Sequence, residues 1–136
     1  MEKEATKELV FEEKYVKAYV LHDLKCLELI WDGNLKEEDY KRTWERSLET
    51  MKKYKLIYFF SDISNQGIIG ANSRKWFEEE ILPNVKAVGL KKAGTITDAS
   101  IFKRYYLNLI LKSIGKFGVP FKLCGSREEV IKFISE

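Results

Sequence analysis

The chain has one histidine, two cysteines and two prolines in 136 residues, and each scarcity closes off a class of function. A single histidine, His22, leaves no HExxH and no cysteine-histidine spacing of a zinc site. It also leaves His22 without a motif that ties it to a serine or cysteine nucleophile. The cysteines, Cys26 and Cys124, stand inside the apolar runs "CLELIW" and "VPFKLCG", so they read as buried thiols of a reducing compartment and not as a disulfide framework. Glycines 67, 70 and 89 spell neither GxGxxG nor a P-loop. No apolar stretch approaches the roughly 20 residues that span a bilayer, and "MEKEATKELVFEEK" has no signal-peptide core. These absences predict a cytoplasmic protein with no metal, no cofactor and no familiar catalytic set. Charge of one sign is lacking too. The 24 basic and 21 acidic residues are interspersed and leave a net +3, so nucleic acid is not an expected partner.

What is present is the composition of an ordinary globular domain, 45% hydrophobic and 33% charged, at a length that buries one core without staples. Residues 1–136 are expected to form a single domain, with 1–8 as a charged N-terminal tail. "EKYVKAYVLHD" and "KCLELIWDGN" alternate partially with period two around a polar step at Asp23 to Lys25, which predicts an antiparallel hairpin. From Lys36 to Tyr54, the residues Tyr40, Trp44, Leu48 and Met51 recur at helical steps and predict a helix lying on a sheet. "KLIYFFSD" predicts a strand covered on both faces. A second helix is expected from about Asn72, with Trp76, Phe77, Ile81, Val85 and Val88 inward, interrupted near Pro83 and ended by Gly89. "KKAGTITD" reads as a strand, 99–116 as a third helix, and "VPFKLCG" as the last strand. "SREEVIKFISE" reads as a closing helix capped by Ser126, with Glu129 at capping-box spacing. The order is ββαβαβαβα, an α/β fold with a mixed, mainly parallel sheet.

Parallel strands ending at Asp62, Asp98 and Gly125 would bring their carboxyl ends to one edge, where open α/β sheets bind ligands. The candidate ligand or partner loop comprises Asp62, Ser64, Asn65, Gln66, Thr97, Asp98 and Ser100, with Ser126 nearby. The plainer reading is that Asn72 or Ser73, Asp98 or Ser100, and Ser126 only cap their helices. The third helix is apolar around much of its circumference. Phe102, Tyr105, Tyr106, Leu109 and Ile110 would meet either their own chain or a second surface, which makes them a candidate homodimer interface or apolar pocket.

The stretches "LELIWDGNLKEEDY", "YFFSDIS" and "KWFEEEILPNVKAVGLKKAG", in this order of elements, resemble the SpoIIAA-like (STAS-like) proteins, and more narrowly an uncharacterised Bacteroidetes-type branch. The matching positions are Trp31, Gly33, Asp62, Trp76, Pro83, Gly89, Lys91 and Ala93. The resemblance implies a non-enzymatic regulatory or protein-interaction module with a regulatory protein partner. It also implies a phosphorylatable serine after the third strand, for which Ser64 and Ser73 are nearest; "SNQGIIGANS" departs there from the "DSSG" of the anti-sigma-factor antagonists. The alternative function is a binder of a small or lipid-like ligand, in a pocket between helix 99–116 and the sheet.

Overall fold

Val16, Ala18 and Val20 are buried while Lys17 is exposed and Tyr19 half-buried between them, the alternation of a strand with one face on a core. In the computed structural model, which describes residues 7–98, 112 and 114–136, this is β2 (Val16–Leu21). It pairs antiparallel with β3 (Cys26–Gly33), which brings Val16 opposite Trp31 and Ala18 opposite Leu29. The connection is a 3-10 turn over His22–Leu24, closed by Lys25 in the left-handed region at φ 53°. The hairpin is the one expected.

A third strand precedes it and corrects the expected order. β1 (Lys7–Glu13) pairs antiparallel with β2, so Lys7 and Glu8, assigned by sequence to a tail, belong to the sheet. Only Phe11 of β1 is fully buried. Glu8, Glu12 and Glu13 of the strand are exposed, as suits an edge that must not recruit another chain.

The remaining strands run parallel. β4 (Tyr58–Gln66) lies beside β3, β5 (Lys92–Ile96) beside β4, and β6 (Phe121–Cys124) beside β5, and the six strands stand in chain order, β1 to β6. α1 (Glu37–Tyr54) buries Tyr40, Thr43, Trp44, Ser47 and Met51 against one face. Its buried hydroxyls are satisfied along the helix, Thr43 donating to the Asp39 carbonyl and Ser47 to that of Thr43.

The second helical run begins at α2 (Ala71–Trp76), widens into a π-helical stretch over Phe77–Ile81, and continues as α3 (Leu82–Ala87). The interruption expected at Pro83 is therefore a widening and not a break. Pro83 has no N–H to donate, and just ahead of it the Leu82 N–H reaches back five residues to the Phe77 carbonyl. Gly89, at φ 95°, follows the end of the run as expected.

α4 (Arg127–Ser135) packs on the opposite face over β5 and β6. Ser126 caps it by accepting the Glu129 N–H at 3.2 Å, and the Glu129 carboxylate reaches the Gly125 N–H. Gly94 of β5 permits the close approach, because a Cβ there would run into Val130. Two cores result. The larger lies between the sheet and α1 to α3, and the smaller joins Leu21, Cys26, Phe60, Ile96, Cys124, Val130 and Ile134 beneath α4. Both cysteines are buried and free, as expected. Of helix 99–116, residues 99–111 and 113 lie outside the described residues, and with them Ser100, Phe102, Tyr105, Tyr106, Leu109 and Ile110.

Candidate functional site

The sequence reading ends this strand at Asp62 and takes "ISNQGIIGANS" as a polar loop, yet "ISNQ" is strand as well. β4 continues through Ser61–Asp62–Ile63–Ser64–Asn65–Gln66, the loop is only Gly67 to Gly70, and Ala71 already begins α2. The pairing partners explain this. Asp32 and Gly33 of β3 stay in register with Asn65 and Gln66, and the Gly67 N–H donates to the Gly33 carbonyl.

Between Ile30 and Asp32 the register slips, since two steps along β3 match three along β4. The extra residue is a bulge, which re-aims the side chains beyond it. Ser61 and Ile63 face the larger core, and after the bulge it is Gln66, not Asn65, that turns inward; Gln66 is buried and Asn65 exposed.

The expected constellation is thus divided between the two faces of the sheet. Asp62 pairs across to Ile96, on the α4 side, and its Oδ1 accepts the Ser64 N–H at 3.0 Å. Ser64 is half-buried within the strand. Thr97 is buried beyond the end of β5, and Asp98 is exposed. Ser73, the second phosphoacceptor candidate, is buried in the first turn of α2, so a kinase meets no free hydroxyl there while the helix is folded. Neither Asn72 nor Ser73 caps that helix. Its N-cap is Gly70, whose carbonyl accepts the Arg74 N–H.

What converges instead is a set of aromatic rings. From α1 come Tyr40 and Trp44, from the sheet Trp31, Phe59 and Phe121, and from the start of the π stretch Phe77. Trp44 is the hub, with ring centroids 4.8 Å from Phe77, 5.3 Å from Phe59 and 6.2 Å from both Trp31 and Tyr40, separations typical of favourable aromatic pairs. These rings do not close completely. A cavity of about 60 Å³ remains among them, with Ser61, Gln66 and Thr95 as its polar walls, and one of about 40 Å³ adjoins it with wholly apolar walls that include Leu82, Val85 and Ala93. Trp44, Phe59, Phe77, Ile114 and Phe121 border both.

Among the described residues, two buried side-chain polar atoms have no hydrogen-bond partner, Trp44 Nε1 and Thr97 Oγ1. An indole N–H can only donate, and leaving it buried and unpaired costs about 1–3 kcal/mol. No described residue lining either cavity is charged.

Sequence reasoning placed Trp44 and Phe77 on inward faces but assigned them to packing. Ser61 and Thr95 went unremarked because they sit inside apolar runs. Of the expected loop residues that the structure describes, Gln66 alone borders the cavity. Ile114, from the end of the expected third helix, also lines it.

A buried ion pair lies elsewhere in the sheet and is structural. Glu28, in the middle of β3, is 1% exposed and bound by Arg127, whose Nε and one Nη donate to its two oxygens at 3.1 and 3.2 Å, with Lys7 Nζ at 3.7 Å. Cys26 lies two residues away on the same face. Burial pushes its thiol well above the ordinary range, and the Glu28 charge pushes in the same direction. His22 meets Glu8 at the hairpin end at 2.8 Å, on the surface and away from the cavity. Among the described residues no group of three metal-ligating side chains occurs, and no helix is long and apolar enough to cross a membrane.

A mixed sheet of this kind with helices on both faces is an α/β architecture of SpoIIAA-like fold. Among solved structures the chain is similar to an uncharacterized protein from the DUF3478 family with a SpoIIAA-like fold, from Shewanella loihica PV-4. The TM-score is 0.60 at 10% identity, over 94% of this chain and 91% of that one. At such identity the likeness establishes the fold and nothing further. No protein-family model and no curated protein matches the chain.

Proposed function

We propose that this chain is a non-catalytic binding module in which an apolar ligand group, seated between the sheet and α1 to α3, sets the state of a regulatory domain. The observation that supports the reading is that Trp44, whose Nε1 is buried and unpartnered, borders an aromatic cavity. Packing to interior density is the norm, and a void that also strands a donor is the kind of defect a ligand repairs.

Native mass spectrometry of the full chain purified from its host tests this. The expected result is a co-purifying small molecule whose adduct is lost in Ala93→Leu, which fills the apolar cavity. Adduct-free protein whose melting temperature is unmoved by any small apolar compound would overturn the reading.

A protein-interaction role is the second reading, and it rests on Ile68. That side chain is 74% exposed at the tip of the four-residue loop, next to the buried Ile69. We place a homodimer mate or a regulatory partner there, in a cytoplasmic setting.

A further inference from the structure

Resting on the ligand-binding reading, we infer that the cavity selects a short, neutral molecule with one hydrogen-bond acceptor, which receives the Trp44 indole N–H. Three observations converge. The first is the orphan donor itself, buried on a residue only 9% exposed that borders both cavities. A ligand without an acceptor would leave that N–H unpaired and would forgo the repair.

The second is polarity along the site. One cavity has Ser61, Gln66 and Thr95 in its walls and the adjoining one none, so the occupant is polar at one end and apolar at the other. With no charged side chain among the described walls, a carboxylate or phosphate would be desolvated without compensation, which costs far more than a neutral group does.

The third is size. Cavities of about 60 and 40 Å³ together fall short of the roughly 150 Å³ apolar cavity that takes benzene, so the group seated there has at most benzene's count of about six heavy atoms. A fatty acyl chain does not fit. A small cyclic ketone or amide does.

The test is a titration of the ¹⁵N-labelled full chain followed by nuclear magnetic resonance. The three tryptophans give three indole N–H signals. Trp44→Phe assigns the one of interest, and Trp31→Phe and Trp76→Phe assign it by elimination should that variant fail to fold. Four probes are compared: cyclopentanone, methylcyclopentane of the same shape without an acceptor, cyclopentanecarboxylate and palmitate.

Cyclopentanone is expected to move the Trp44 indole proton downfield to saturation. Trp44→Phe should then weaken cyclopentanone about tenfold, or about 1.4 kcal/mol, while leaving methylcyclopentane within about twofold. Methylcyclopentane binding as tightly as the ketone would overturn the acceptor inference and leave the ligand-binding reading intact. Preference for the carboxylate or palmitate would overturn the neutral, short class. If none of the four perturbs any cavity residue, the inference and the reading beneath it both fall.

Discussion

Glu28 and Cys26 are neighbours on one face of β3 and show how a buried charge and a buried thiol constrain each other. Arg127 grips both oxygens of the buried Glu28 carboxylate. Arg127→Ala should therefore destabilise the fold by about 2–4 kcal/mol in urea unfolding, at the lower end for a broken buried pair. The Arg127 side chain is 32% exposed, and Lys7 remains to share the charge, which is why the lower end applies. Replacing Glu28 and Arg127 together by leucine and methionine should cost less than Arg127→Ala alone, since no charge is then stranded.

Cys26 supplies a pH signature. A thiol whose folded pKa is raised contributes stability that is full below its unfolded value, near 8.5, and is lost as pH rises toward the folded value. Urea midpoints of wild type should therefore fall more steeply than those of Cys26→Ala between pH 8 and 10. Equal slopes would mean that the thiol does not titrate differently in the two states.

At the scale of elements, the contact between α4 and β5 depends on a missing Cβ. Gly94→Ala would place a methyl against Val130, and the resulting overpacking should cost about 1–3 kcal/mol in thermal or urea unfolding. Gly94→Ala combined with Val130→Ala should recover part of that loss, because the clash is removed.

The elements also mark where sequence reading succeeded. Amphipathic α1, the β2–β3 hairpin and the Ser126 cap were legible because their signals are local: period, turn chemistry and cap spacing. β1 was not, since "KELVFEE" buries only Phe11 fully and its charges resemble a tail. The second half of β4 was not, since "ISNQ" has loop composition and is held as strand by β3 alongside. Gln66 was expected in a loop at the carboxyl edge; a bulge in the paired strand, and not a loop, turns it inward. The orphan Trp44 donor had no signal at all, because a tryptophan at a helical step looks the same whether or not its indole finds a partner.

The whole molecule explains why the expected site at the carboxyl edge dispersed. Ligand crevices in open α/β sheets arise where strand order reverses, and here β3, β4, β5 and β6 proceed in one direction without reversal. The vacant space lies between layers instead. The exposed loop tip is the place where association with another chain would show. If it is an interface, Ile68→Asp should convert a dimer to a monomer in light scattering while the melting temperature of the monomer stays within a few degrees. A wild type that is monomeric at high concentration would remove the homodimer from that reading.

A sheet whose spatial order copies its chain order can also be assembled in the order of synthesis. Each strand, as it leaves the ribosome, finds its only earlier neighbour already in place, and none must wait for a later strand to slot in between. The consequence is vectorial: among the described strands, a nascent chain halted after β5 lacks only the β5–β6 pairing, and β6 then becomes the edge of the sheet.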